Sequence, residues 1–86
     1  MRQRYLERRK SDHKDLLVAV ASKDPEVLKR VGHQLKGNAA TFGYSDLEQI
    51  GRLLEQCGQM EDFDCAHHAV EALGSWIYNQ DRKTDP

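Results

Sequence analysis

Apolar residues along this chain recur at steps of three and four, the spacing of an amphipathic helix, and no strand-length run alternates apolar with polar. Leu28, Val31, Leu35, Ala39 and Phe42 fall on one stripe. Leu47, Ile50, Leu54 and Cys57 form a second. Phe63, Ala66, Val70, Leu73 and Ile77 form a third, flanked by Trp76. The N-terminal stripe is the least regular. Tyr5, Leu6, His13, Leu16, Leu17, Val20 and Ala21 are interrupted by Arg8, Arg9, Lys10 and Ser11. That interruption predicts a first helix whose N-terminal half projects past the core or frays.

Local signals set the boundaries. Asp24 can cap a helix start by accepting backbone N–H bonds, and Pro25 suits the first helical position. Gly43 can take the left-handed conformation that ends the same helix. Ser45-Asp46-Leu47-Glu48 reads as a capping box opening a third helix, and Asp62 caps a fourth. The predicted helices span about 2–22, 25–42, 45–59 and 62–80, with 81–86 a polar, disordered tail. Such short connections make successive helices antiparallel neighbours. The expected fold is all-α, one domain, an up-down-up-down four-helix bundle.

The chemistry gathers on the second helix. His33 lies about 200° around the helix from Val31 and from Leu35, so it points away from the core. Lys36, Gly37 and Ala40 follow His33 at i+3, i+4 and i+7 and share its face. An accessible imidazole is a nucleophile near neutral pH, and an ammonium one turn away can neutralise the oxygens of a phosphoryl group. The small side chains at Gly37 and Ala40 leave room for an approaching protein. The antiparallel third helix brings residues 54–55 to the height of His33. Glu55 is therefore the candidate acceptor from its Nδ1–H, with Arg52 one turn earlier supplying charge or pairing with Glu48 or Glu55.

The run His33-Gln34-Leu35-Lys36-Gly37-Asn38-Ala39-Ala40-Thr41-Phe42-Gly43 resembles the signature of histidine-containing phosphotransfer (HPt) domains of two-component phosphorelays. Tyr5-Leu6-Glu7-Arg8-Arg9, Asp24-Pro25 and Leu53-Leu54-Glu55 extend the likeness over nearly the whole chain. Asn38 departs from it, standing where the family more often has Ser or Ala. The resemblance implies that His33 accepts a phosphoryl group on Nε2 from a receiver-domain phospho-aspartate and passes it to another receiver. It also implies that Lys36 holds phosphoryl oxygens, and it supports Glu55 as the imidazole orienter. The docking face would include Gly37 and Ala40, with Lys29, Arg30, Tyr44 and Arg52 at its rim. Partners would be receiver domains of response regulators or of a hybrid sensor kinase. The alternative is a helical interaction module that binds a receiver or kinase without accepting phosphate.

Composition narrows these readings. At 86 residues the chain is one domain. Hydrophobic residues make up 38% and charged residues 31%, as suits a small bundle with a large surface. A net charge of −1 gives no support for nucleic-acid binding, although Arg2, Arg4, Arg8, Arg9 and Lys10 form a basic N-terminal run. No apolar run is long enough for a membrane span, and no apolar segment follows the basic N-terminus as in a signal peptide. The expected location is the cytoplasm, and a monomer suffices for the chemistry. There is no glycine-rich phosphate loop, so no ATP site and no cofactor of its own are expected, and the Mg²⁺ belongs to the receiver. His67 and His68 are adjacent and cannot chelate from one helical face, and no metal site is expected. Cys57 and Cys65 are expected as small apolar packing residues.

Overall fold

The computed structural model describes residues 2–84, with side chains over 4–80 and at Arg82. Its four helices are α1 (Arg2–Ser22), α2 (Pro25–Phe42), α3 (Ser45–Met60) and α4 (Phe63–Thr84). Each packs beside the next and α1 closes against α4, forming an antiparallel four-helix bundle with extents of 40 × 23 × 16 Å. No helix of the described residues is long and apolar enough to cross a membrane.

The three connections share one construction. Lys23, Gly43 and Glu61 each take a left-handed conformation, with φ of 56°, 77° and 53°. The next residue's N–H then reaches back into the finished helix: Asp24 N to Ala19 O, Tyr44 N to Ala39 O and Asp62 N to Cys57 O, each 2.9 Å. These bonds satisfy carbonyls that the helix end would leave open. Only Gly43 adopts the left-handed conformation without crowding a Cβ. Asp24 caps α2 by accepting from Glu26 N at 3.1 Å, and Asp62 caps α4 by accepting from Cys65 N at 3.0 Å. The predicted capping box does not form. Tyr44 occupies the cap position with no side-chain bond, Ser45 is already helical, and the Glu48 carboxylate accepts from Arg52 instead.

Leu16, Leu28, Leu35, Leu47, Leu54 and Leu73 are wholly buried and form the core with Val31, Val70 and Cys57. Phe42, expected on the α2 core stripe, is 61% exposed, with its ring edge-on to Tyr5 at 5.0 Å. Leu17 and Ala21, expected in the α1 stripe, face outward, and Ala19 is buried in their place.

Nor does α1 lose its inward face at the arginines. Arg9 and Asp12 continue the stripe between Leu6 and Leu16, with side chains 4% and 8% exposed. Their charges pair at 2.9 Å between Arg9 Nη2 and Asp12 Oδ2, which makes burial of the two groups tolerable. Burial pushes the Asp12 carboxyl above its ordinary pKa, against the pull of Arg9 and Arg8. The Arg9 guanidinium also lies over the Tyr5 ring at 4.7 Å. The N-terminal half of α1 is thus anchored rather than projecting.

Two further expectations change. The α3–α4 turn brings Cys57 and Cys65 to a Cα separation of 5.9 Å, where their sulfurs are bonded, so they staple the two helices rather than pack as thiols. Helix α4 continues beyond Gln80 to Thr84, so most of the segment expected as a tail is helical, and residues 85–86 lie outside the described ones.

Candidate functional site

The site rests on an unusually close approach of α2 and α3. A Cβ on Gly32 would lie 2.6 Å from the backbone N of Glu55 and 2.8 Å from Gly51 O. A Cβ on Gly51 would lie 2.5 Å from Lys36 N and 2.9 Å from Gly32 O. Neither position admits a larger residue without moving a backbone. Gly32 directly precedes His33, and Gly51 sits one turn before Glu55. The two glycines therefore set the gap that the candidate side chains His33, Lys36 and Glu55 bridge. Sequence reading missed both, although Gly32 beside the α2 stripe, with Gly51 and Gly58 spaced by seven on α3, was the available signal; Gly51 meets Gly32, and Gly58 meets Lys29 and Pro25.

Across that gap, His33 Nδ1 lies 3.0 Å from Glu55 Oε2, and Lys36 Nζ donates to Glu55 Oε1 at 2.8 Å. One carboxylate thus joins the two α2 side chains. The hydrogen bond from Lys36 is the largest of the influences holding Glu55 below its ordinary pKa; partial burial opposes it, and the His33 contact adds to it. An ionised carboxylate accepts only, so a neutral His33 must donate from Nδ1. Nε2 is then left with a free lone pair, on a side chain that is 69% exposed. This is the tautomer a nucleophilic imidazole requires.

The other expected site residues are distributed unevenly. Gly37 and Ala40 lie exposed on the His33 face, and a Cβ at Gly37 would meet nothing within 4 Å. Lys29 pairs with Glu26 at 3.0 Å, and Arg52 with Glu48 at 2.8 Å rather than with Glu55. Arg30 is exposed and lines a groove toward α1 together with Asp15 and Val18. Tyr44 is not a free rim residue. Its half-buried ring packs between Tyr5 at 5.4 Å and Trp76 at 5.3 Å, closing one end of the core. Lys36 is half-buried and already engaged by Glu55.

Fold and site together define an all-helical module whose outward histidine is oriented by a carboxylate. Among models of protein families, the Hpt domain matches residues 1–81. The chain belongs to the family of histidine phosphotransfer domains, helical phosphocarriers that partner receiver domains in phosphorelays. Comparison with curated proteins and with solved structures gave no match.

Proposed function

We propose that this protein carries a phosphoryl group on His33 Nε2, taken from a receiver-domain phospho-aspartate and passed to a second receiver. The observation that carries the reading is the 3.0 Å contact of His33 Nδ1 with Glu55 on an otherwise exposed ring. Nε2 attacks the phosphorus in line, the P–N bond forms, and the P–O bond to the aspartyl carboxylate breaks. The Nδ1 proton stays in place, so the ring becomes cationic as it is phosphorylated. Glu55, kept ionised by Lys36, balances that charge. Lys36 has three N–H donors; one serves Glu55 and the others can turn to the phosphoryl oxygens. The Mg²⁺ for the transfer is the receiver's. Gly37 and Ala40 give the receiver clearance over the histidine, and Arg30 supplies positive charge at the rim, where Lys29 and Arg52 are free to exchange their pairing with Glu26 and Glu48 for the receiver's acidic groups. The protein acts on this reading as a cytoplasmic monomer.

The test is to mix the wild type, and separately His33→Ala, with a phosphorylated receiver. Base-stable, acid-labile phosphate on the wild type and none on the variant is the expected result. Lys36→Ala should slow the transfer. If neither form gains phosphate from several receivers while one receiver still binds, the protein is an interaction module and the carrier reading falls.

A further inference from the structure

On the α1 side of α2 the surface opens into a groove of about 500 Å³, within the size range of small-molecule sites. Helix α1 supplies Arg4, Arg8 and Arg9, and the end of α2 and the turn after it supply Asn38, Phe42 and Tyr44. Two features of the lining stand out in a chain of net charge −1.

The first is the cations. Arg8 has a side chain 65% exposed and approaches Asp12 no nearer than 3.6 Å. Arg4 is exposed and makes no ion pair among the described residues. Beneath them Arg9 commits Nη2 to Asp12, while its Nε and Nη1, and the Tyr5 hydroxyl, are enclosed without a hydrogen-bond partner. Arg8 and Arg9 thus share the one carboxylate of Asp12 while Arg4 has no counter-charge beside it among the described residues, and the buried Arg9 raises the local potential from beneath.

The second is the aromatic wall. Phe42 is 61% exposed although its other side is fixed edge-on against Tyr5. Tyr5 in turn lies against Tyr44. A half-free ring beside Arg4, unpaired among the described residues, and an exposed Arg8 that is held only loosely by Asp12 is complementary to a flat ring that carries a negative charge.

We propose that this groove binds a small organic anion, a phosphate or carboxylate borne on a flat ring, with the ring on Phe42 and the charge between Arg4 and Arg8. Asn38 lies about 140° around α2 from His33, so an occupant leaves the histidine uncovered. The site is independent of the phosphocarrier reading and is tested by binding alone.

The experiment follows the backbone amides of Tyr5, Asn38, Phe42 and Tyr44 by NMR in the whole ¹⁵N-labelled chain. Phenyl phosphate, inorganic phosphate and phenol are titrated separately. Phenyl phosphate should give saturable shifts with a Kd near about 1 mM, the range open to a ligand of its size. Inorganic phosphate and phenol should each bind at least about tenfold more weakly, because each offers only half of the complementarity. Added salt should weaken phenyl phosphate binding. The double variant Arg4→Gln/Arg8→Gln, which alters only exposed side chains, should weaken it at least about tenfold, and Phe42→Ala should weaken it several-fold. Phenol binding as tightly as phenyl phosphate, or binding unaltered in the arginine variant, overturns the proposal. So does a spectrum that small anions leave unmoved and only a receiver domain shifts, since the groove would then belong to a protein-docking surface.

Discussion

Between α2 and α3 the helices meet almost backbone to backbone, across Gly32 and Gly51, whereas α1 meets the bundle across side chains that include a buried ion pair. The difference follows from what each seam holds. The first positions a hydrogen bond between His33 on one helix and Glu55 on the other, so the helix separation must be fixed to a few tenths of an ångström. Backbone contact gives that rigidity because there is no rotamer to adjust. The second seam has only to cover the core, and side chains as unlike as Leu6, Arg9 and Asp12 can share the task. Precision at the site and tolerance elsewhere are thus separate properties of one small bundle.

The widest contrast is in how the two seams respond to substitution. Asp12→Ala leaves Arg9 buried without its counter-charge and should cost about 3–5 kcal/mol in denaturant unfolding. The double change Arg9→Met/Asp12→Leu should restore most of that loss, because it removes both desolvated charges; a double variant no more stable than the single one would show that the pair has no apolar equivalent. Gly32→Ala should be destabilising by about 1–3 kcal/mol, since the new methyl meets backbone that cannot rotate away. It should also slow phosphotransfer by displacing Glu55 from His33. Five positions along the same helix, Gly37→Ala meets open space and should stabilise by up to about 1 kcal/mol through helix propensity. Equal signs for these two substitutions would refute the backbone-contact account.

Acid should affect the site seam in a defined direction. Glu55 has a folded pKa below its unfolded one, so its contribution is present above the unfolded value and is lost as pH falls through the folded value. Wild type and Glu55→Gln should therefore differ most in stability above the ordinary carboxylate range, and the difference should shrink as pH falls below that range. The smallest effect is expected at the turns. Lys23→Gly relieves a left-handed Cβ and should raise stability by about 0.5–1 kcal/mol, visible as a small rise in Tm, while Gly43→Ala should lower it.

The parts of the molecule legible from sequence were those governed by local rules. The stripe Leu28, Val31, Leu35 and Ala39 follows helical periodicity, and Asp24-Pro25 announces the start of α2. Glu55 could be placed opposite His33 because a two-residue turn leaves little freedom of register between antiparallel helices. What stayed hidden depends on partners distant in sequence or on exceptions to a preference. Arg9 and Asp12 are charged and so read as surface; only their mutual pairing makes them core. Lys23 and Glu61 end helices in a conformation that favours glycine, so neither declares itself. Phe42 reads as core by hydrophobicity, yet it lies where α2 runs past the end of the packed interior. The staple between Cys57 and Cys65 depends on how α3 and α4 lie across their turn, which spacing alone does not fix.

The most direct test of the central claim is to phosphorylate the protein from a receiver and locate the phosphorus by ³¹P and ¹⁵N NMR of the histidine rings. The account predicts a single phosphoramidate on His33 Nε2, with the proton retained on Nδ1 against Glu55. Phosphate on Nδ1 of His33, or on His13, His67 or His68, would contradict it.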